Sequence, residues 1–477
     1  MFVSYFFISV ICTLFLLLLK GVSDFNTWVT LAALVTFFHA LSSTYTMKKA
    51  CGTWLNLPMA FLFCLFLFNW GQLWLLGFFK NYEMMYDWNK ISIYPSRIYT
   101  NTTVIIIMFI TFVTLGIIAK MKKVISEKKG FPNQELKKIR YLGILVLIIT
   151  LPFNIYENAM YIIASSIGGY KETFDLQIPD FVSVISWMSI IGAVACIIGT
   201  PKFKNILFLS FSAFYGFEMI SGNRANSVVA ILSILLFYNL VYPLKIGFRR
   251  LLIYGVLGFV LLTVLATIKV YRGSEERSIE GFNETAEVVT KKNIVLQNME
   301  EFGGAIAFPS IVQIYLEQTG NYLYGWTFIS SFAGIFPNIT GDVADITNSG
   351  SMIHIIRDHI WGPYQTIAAS CVSECVMNFG IFGVPFFAYI LGLIIGYIHK
   401  KMEKRKNSWT VLFYVTFCYA TIFWARNSFN STVRSVVWGI ILVWICSKIV
   451  GLRERKIHKH QLTPISLSND DSLTTKM

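Results

Sequence analysis

The sequence predicts an all-α protein with many membrane-spanning helices, and three observations support this. Of its 477 residues, 55% are hydrophobic and only 14% are charged. The mean hydropathy of +0.60 lies on the apolar side of soluble domains. Apolar stretches of about 20 residues, the length at which a helix crosses roughly 30 Å of hydrocarbon, recur along most of the chain.

About twelve of these stretches are candidate spans. They lie near residues 2–19, 27–45, 54–79, 103–119, 141–163, 181–199, 203–220, 225–242, 249–271, 378–398, 409–424 and 431–449. The first ends in LLLLKGVSDF, which lacks the small-residue pattern of a cleavage site, so we interpret it as an anchor. We therefore expect nine membrane helices in residues 1–271, one large loop in 272–377, three membrane helices in 378–450 and a tail in 451–477.

The net charge of +14 indicates topology rather than a nucleic-acid partner. Lys and Arg concentrate in alternate connections between spans, as in KMKKVISEKKGFPNQELKKIR at 120–140 and KKMEKRK at 400–406. Basic connections stay in the cytoplasm, so both termini are predicted to be cytoplasmic. The other connections, including the 272–377 loop, then lie on the outer face. That loop is too long for a bare connector, and we expect helices around 282–301 and 305–319.

Three arginines on the predicted outer face are candidate anion ligands. Arg224 lies in ISGNRAN, residues 220–226, between spans seven and eight. Both others belong to the stretch FWARNSFNSTVRSVVWG: Arg426 lies in the turn between the last two spans, and Arg434 lies beyond that turn, in the last span. An arginine at a helix end often only reaches back to the interface, and this alternative stays open for Arg224. Arg434 lies inside an apolar run, where its charge needs a partner or an aqueous pocket. A guanidinium offers a planar fork of donors that matches phosphate oxygens.

The end of the long loop holds a second group of candidates, in HIIRDHIWGPYQTIAASCVSECVMNFG. Arg357 is a further candidate for anion binding, although the adjacent aspartate favours an ordinary ion pair. His359 and Glu374 are candidate general bases. Glu374 lies in a mostly apolar stretch, where a carboxylate needs a partner; the sequence does not choose between the two.

Two further features limit the chemistry. Cys371 and Cys375 have no additional Cys or His at the spacing of a zinc site, so we expect the eight cysteines to pack as small apolar residues, with no metal site and no cofactor. In span five, LPFNIYENAMY places Asn154 and Glu157 within an apolar helix. They predict either a polar contact between helices or the wall of a cavity.

These blocks resemble the bacterial O-antigen polymerases of the Wzy type, and the enterobacterial common antigen polymerase is a similar protein. The resemblance rests on ISGNRAN before an apolar helix, on the pattern E-x-x-x-N-F-G at Glu374, Asn378, Phe379 and Gly380, and on R-x-S-F-x-S-x-x-R from Arg426 to Arg434. It spans about residues 140–450 and is carried by these three short blocks.

The resemblance implies a metal-independent glycosyltransferase of the GT-C class that works at the periplasmic face. Such enzymes join a glycan on an undecaprenyl diphosphate carrier to a repeat unit on a second carrier. Arg224, Arg426 and Arg434 would stabilise the departing diphosphate, and Glu374 or His359 would be the base. The expected partners are the lipid-linked glycans and the bilayer, and a polysaccharide chain-length regulator is a candidate partner.

Other classes remain open at this stage. A flippase for lipid-linked glycans would share the span count, but we would expect charges through the midplane of many helices and a paired-repeat layout. An O-antigen ligase is the nearest rival, since it uses the same donor. A structural assembly protein would tolerate substitution of Arg224 and Glu374 without loss of chemistry.

Overall fold

The structure is a computed structural model that describes residues 2–79, 96–121, 131–168, 176, 178–219, 224–242, 294–336, 342–356, 369–403 and 408–462. Every regular element in these ranges is a helix, so the predicted all-α class is confirmed. Three short 3₁₀ turns accompany the α-helices, at Leu19–Gly21, Pro201–Phe203 and Gly304–Ile306.

The described part of the chain contains seventeen α-helices. In chain order they are α1 (Phe2–Leu18), α2 (Phe25–Cys51), α3 (Leu57–Phe78), α4 (Ser96–Lys120), α5 (Asn133–Gly168), α6 (Asp180–Trp187), α7 (Ser189–Gly199), α8 (Lys204–Glu218), α9 (Arg224–Val241), α10 (Ile294–Gly303), α11 (Ala307–Thr319), α12 (Trp326–Ala333), α13 (Asp342–Ser349), α14 (Met352–Ile356), α15 (Cys371–Glu403), α16 (Ser408–Trp424) and α17 (Phe429–Leu462).

Eight helical segments of the described ranges are long and apolar enough to cross a membrane. They belong to α1 to α5, to the continuous pair of α6 and α7, to α15 and to α17. Two shorter apolar segments lie in α9 and α16. The predicted span at 203–220 corresponds to α8, which has 15 residues. The predicted span at 249–271 lies outside the described residues.

Helix ends follow local sequence signals. The Asp24 carboxylate accepts a hydrogen bond of 2.8 Å from the Thr27 N–H, and so caps α2. The Asn56 side chain accepts a hydrogen bond of 2.9 Å from the Met59 N–H at the start of α3. Each cap satisfies a backbone donor that the first turn of a helix leaves without an intrahelical partner.

The helices α4 and α15 pack closely along their length. A Cβ at Gly392 would lie 2.2 Å from the Val113 carbonyl oxygen, and one at Gly116 would lie 2.3 Å from the Tyr389 carbonyl oxygen. Only glycine permits this approach of the two backbones, as is common where membrane helices pack through small residues. The pair anchors α15, which carries Glu374 near its first residue.

The long loop folds against the membrane helices through α10, α11 and α12, and α13 and α14 pack on these loop helices. The predicted helix around 305–319 is confirmed as α11, and part of the one around 282–301 appears as α10; residues 282–293 lie outside the described ranges. The Gln72 side-chain amide of α3 donates a hydrogen bond of 2.7 Å to the Glu300 carbonyl oxygen of α10. This contact fixes the loop on α3.

Candidate functional site

A polar cavity of about 250 Å³ lies between α5, α6, α7, α8, α9, α16 and α17. Its lining mixes carboxylates, amides, hydroxyls, aromatic rings and one guanidinium, in a bundle whose packing is otherwise mostly apolar. The lining residues are Asn154, Glu157, Asn158, Ser183, Val184, Ser186, Trp187, Ile190, Tyr215, Glu218, Asn226, Ala230, Tyr419, Phe423, Ser431, Arg434 and Ser435.

The polar residues of α5 bond to serines of α6 across one wall of this cavity. The Ser183 hydroxyl donates to the Glu157 carboxylate at 2.5 Å, and the Asn154 amide donates to the Ser186 hydroxyl oxygen at 3.2 Å. Both Asn154 and Glu157 are buried. Asn154 and Glu157 therefore both join α5 to α6 and line the cavity, so the two alternatives that the sequence left open apply together.

A second carboxylate, Glu218, enters the cavity from the last residue of α8. It is 8% exposed, with Asn154, Asn158 and Ser227 as neighbouring hydrogen-bonding side chains. Glu157 lies close enough for the two negative charges to repel. The sequence analysis did not predict Glu218 as a site residue. In the sequence it is a single acidic residue within an apolar stretch, two positions before ISGNRAN.

Tyrosine hydroxyls complete the polar wall. Tyr215 shares a hydrogen bond of 2.9 Å with the Ser189 hydroxyl. The Tyr419 hydroxyl donates to the Asn226 side-chain oxygen at 3.3 Å, which links α16 to the start of α9. Residues from helices far apart in the chain are thus held in one polar layer.

Stacked aromatic rings form one side of the cavity. The Trp187 and Tyr419 rings lie 5.0 Å apart between centroids with an interplanar angle of 14°. Tyr419 also stacks on Phe423, at 5.7 Å and 12°. Within the part of the chain that the structure describes, the buried Trp187 indole N–H has no hydrogen-bond partner.

The cavity contains one of the three predicted arginines. Arg434, in the second turn of α17, lines the cavity together with Ser431 and Ser435. The structure thus provides the polar pocket that its charge requires. Arg224 is the first residue of α9, two positions before the cavity residue Asn226.

Arg426 has a different environment. Its guanidinium lies over the Phe68 ring of α3 at 5.7 Å and over the Phe302 ring of α10 at 5.5 Å. Such cation–π contacts hold the turn between α16 and α17 against α3 and the loop. Arg426 is not among the residues that line the cavity. Arg357 and His359 lie outside the described residues.

Glu374 is buried in the first turn of α15, 2% exposed, and it faces the start of α17. Both of its carboxylate oxygens accept the Phe429 N–H at 2.9 Å, and Oε2 also accepts the Trp424 indole N–H at 2.8 Å. The carboxylate therefore caps α17 and ties it to the end of α16. Glu374 is not among the residues that line the cavity.

The asparagine of E-x-x-x-N-F-G fastens α15 to the start of α12. The Asn378 side-chain oxygen accepts the Gly325 N–H at 2.8 Å. Its amide group donates to the Thr327 hydroxyl oxygen at 2.6 Å and to the Glu374 carbonyl oxygen at 2.7 Å. One side chain thus joins two helices and supports the turn that carries Glu374.

The glycine of the same motif produces a break in α15. Gly380 has φ of 62° and ψ of −172°, a conformation that is essentially restricted to glycine. A Cβ at this position would lie 2.8 Å from the Tyr322 ring. We refer to Glu374, Asn378 and Gly380 together as the α15 joint. The predicted boundary between loop and span at 378 falls at this joint, seven residues after α15 begins.

The eight cysteines are all buried and not in disulfides. Among the described residues no group of three or more His, Cys, Asp or Glu side chains is placed to hold a metal ion. Neither observation adds a ligand to the site.

The fold and the cavity define a polytopic helical membrane protein with a polar site buried between its helices. The family model of the O-antigen polysaccharide polymerase Wzy matches residues 1–453, and the chain belongs to this family. No curated protein and no solved structure matches the chain. The resemblance stated from three sequence blocks is confirmed.

Membership of this family defines the general activity. The chain is a multi-pass membrane protein and a polymerase of the glycosyltransferase type, which polymerises O-antigen repeat units. Its substrates are lipid-linked oligosaccharides in a membrane.

Proposed function

We propose that the chain joins undecaprenyl-diphosphate-linked repeat units at the periplasmic face of the inner membrane, and that the polar cavity is where the sugars react. The observation that carries this proposal is the position of Arg434 in a cavity that also holds two carboxylates and several amides. A glycosyl transfer from a lipid diphosphate needs an anion ligand, a proton acceptor and donors for sugar hydroxyls. These three kinds of group are gathered there.

The direction of the helices supports the periplasmic face. Lys202 and Lys204 stand at the start of α8, whereas Glu218 ends that helix, about 21 Å away at 1.5 Å per residue. The basic run KKMEKRK precedes α16, and Tyr419 lies in the second half of that helix. Since basic connections stay in the cytoplasm, the cavity belongs to the opposite side.

In this proposal guanidinium groups stabilise the leaving diphosphate, and no divalent cation is required. Arg434 supplies a charged fork of donors inside the cavity, where the low dielectric strengthens its attraction for an anion. Arg224, at the start of α9, is the second candidate ligand. Arg426 holds the turn between α16 and α17 against α3 and α10, and so positions the helix that carries Arg434.

Substitution of Arg434 tests the proposal. Arg434→Ala removes a group that stabilises the departing charge, and loss of one such donor lowers a rate by about 100- to 1,000-fold. Cells with this variant should make lipopolysaccharide that carries a single repeat unit. The measurement is the length distribution of lipopolysaccharide on gels, with the amount of membrane-inserted protein followed by immunoblot. Arg434→Lys should restore only part of the activity because lysine lacks the planar fork.

Arg97→Ala is the matched control. Arg97 is exposed and forms a 3.9 Å ion pair with Glu317, a contact that contributes little in water. This variant should make polymer of normal length. In isolated membranes, excess EDTA should leave the rate of polymerisation unchanged. Normal polymer length in Arg434→Ala would contradict the assignment of the cavity, and inhibition by EDTA would contradict the metal-free step.

A further inference from the structure

The cavity has the chemistry of a sugar-binding site. The rings of Trp187, Tyr419 and Phe423 stack on one another and all three line the cavity, so they give it an apolar wall against which the C–H groups of a pyranose ring can pack. The amides of Asn154, Asn158 and Asn226 line the same cavity and offer both donors and acceptors to sugar hydroxyls. The Trp187 indole N–H, which has no partner within the described ranges, adds a donor that a hydroxyl would satisfy. A volume of about 250 Å³ suits one ring rather than a whole oligosaccharide.

The two carboxylates of the cavity are not equivalent. Glu157 lies in the interior of α5, and its carboxylate accepts a hydrogen bond of 2.5 Å from the Ser183 hydroxyl. One of its oxygens is therefore already engaged in a strong hydrogen bond. Glu218 is the last residue of α8, where the negative end of the helix dipole makes a carboxylate a better proton acceptor. Its neighbours Asn154 and Asn158 are amides that also line the sugar cavity.

Glu218 also shares its cavity with a proposed diphosphate ligand. It stands six residues before Arg224 in the chain, and it lines the same cavity as Arg434. Glu374, one of the two candidate bases that the sequence predicted, instead accepts backbone and indole donors at the start of α17. A carboxylate that receives these donors suits positioning better than proton transfer.

We propose that Glu218 is the general base that takes the proton of the acceptor sugar's hydroxyl, an inference that rests on the proposed function. The acceptor oxygen forms the new bond to the anomeric carbon of the donor while its proton moves to the Glu218 carboxylate. The bond between that carbon and the phosphate oxygen breaks, and its electron pair leaves with the lipid diphosphate, which Arg434 stabilises. The proton returns to bulk water after the product leaves.

The experiment uses membranes that contain the full-length chain, incubated with the lipid-linked repeat units that accumulate in cells lacking it. The measured quantity is the first-order rate at which a two-repeat product appears under single-turnover conditions. Glu218→Gln keeps the shape but not the basicity, and loss of a general base lowers a rate by about 100- to 10,000-fold. Glu218→Ala should lose as much, and added formate should restore at least part of its rate by entering the vacated space.

Formate rescue separates a base from a structural carboxylate, because a misfolded site does not recover when a small anion is added. Glu317→Gln, an exposed carboxylate on α11, is the matched control and should keep the wild-type rate with or without formate. Arg434→Ala should lose activity and show no response to formate. A Glu218→Gln rate within a few-fold of wild type, or a Glu218→Ala variant that formate does not restore, would overturn the role of Glu218.

The two proposals fail in different ways. If Glu218→Gln retains its rate while Arg434→Ala has lost it, the cavity is the site but the base lies elsewhere. If the rate is lost in Glu157→Gln but not in Glu218→Gln, and formate restores the rate of Glu157→Ala, then Glu157 is the base and the assignment of Glu218 is wrong. If Arg434→Ala also retains its rate, the cavity is not the place of reaction.

Discussion

The polar cavity and the α15 joint both bury carboxylate and amide side chains near the start of α17, but their partners differ. In the cavity, Glu218 and Glu157 lie among amides, hydroxyls and Arg434 around an open volume of about 250 Å³. In the α15 joint, Glu374 and Asn378 accept backbone N–H groups. The first region has space for a ligand, and the second binds one helix to another.

This difference separates the residues that reveal the family from those that we propose to carry the chemistry. Three positions of the pattern E-x-x-x-N-F-G have a strict local requirement: Glu374 caps α17, the Asn378 amide joins two helices, and Gly380 has a positive φ. The cavity residues come from seven helices and have no fixed spacing in the chain. A short motif can therefore mark a joint, while the reactive groups are dispersed.

The largest effect that tests this comparison is expected at Glu374. Glu374→Ala removes the acceptor of a buried indole N–H and a partly buried backbone N–H, and a buried donor left unsatisfied costs about 1–3 kcal/mol. The melting temperature of the purified protein in detergent should fall, and less protein should reach the membrane. Glu374→Gln keeps both acceptor contacts if its carbonyl takes the Oε2 position, but its NH2 group then faces the Phe429 N–H from the Oε1 position. We therefore expect a smaller fall in melting temperature than in Glu374→Ala, with a polymerisation rate per folded molecule close to wild type.

The glutamine variant decides between the two roles of Glu374. If Glu374 is the base that the sequence suggested, Glu374→Gln loses about 100- to 10,000-fold in rate while the protein remains folded. That result would contradict the distinction between cavity and joint. A rate within a few-fold of wild type, beside the deep loss in Glu218→Gln, would support it.

A smaller effect is expected at Gly380. Gly380→Ala places a Cβ in a conformation that costs about 1–3 kcal/mol outside glycine, and 2.8 Å from the Tyr322 ring. We expect a lower melting temperature, with a rate per folded molecule that changes less than the stability does. Gly451→Ala is the control, since this helical position has open space around it and alanine favours the helix. An unchanged melting temperature in Gly380→Ala would show that the joint tolerates another backbone conformation.

The class of the fold and part of the site could be predicted from the sequence for simple physical reasons. Apolar length and the distribution of Lys and Arg predict spans, because the hydrocarbon imposes a fixed thickness. Arg434 could be chosen because a guanidinium within an apolar run needs a polar pocket, and the structure provides one. The same reasoning predicts a polar environment for Asn154 and Glu157, which line the cavity.

The remaining site residues depend on packing that no local pattern encodes. Glu218 is one acidic residue at the end of an apolar segment, and only the approach of α5, α9 and α17 shows what surrounds it. Arg426 looked equivalent to Arg434 in sequence, yet it lies over Phe68 and Phe302, which belong to α3 and α10. The role of Glu374 as a base stays a prediction, and its contacts could be found only once α17 was placed.

The smallest effect, and the finest test of the cavity, is expected at Tyr419. Tyr419→Phe removes a 3.3 Å hydrogen bond to Asn226 but keeps the ring that stacks on Trp187, a net loss of about 0.5–1.5 kcal/mol. This bond positions the Asn226 amide, which lines the cavity, so its loss should raise the acceptor concentration needed for half-maximal rate in the membrane assay. The energy of the bond limits the increase to about tenfold, since 1.36 kcal/mol corresponds to tenfold. Tyr419→Ala, which also removes the ring, should raise this acceptor concentration further.

Tyr414→Phe on the same helix is the control. It removes a 2.8 Å hydrogen bond to His399 outside the cavity, and so should change stability without changing the dependence of the rate on acceptor concentration. If Tyr419→Phe and Tyr414→Phe change the acceptor concentration for half-maximal rate equally, the aromatic wall only packs helices. If the wall holds the sugar, only the substitution inside the cavity should change it.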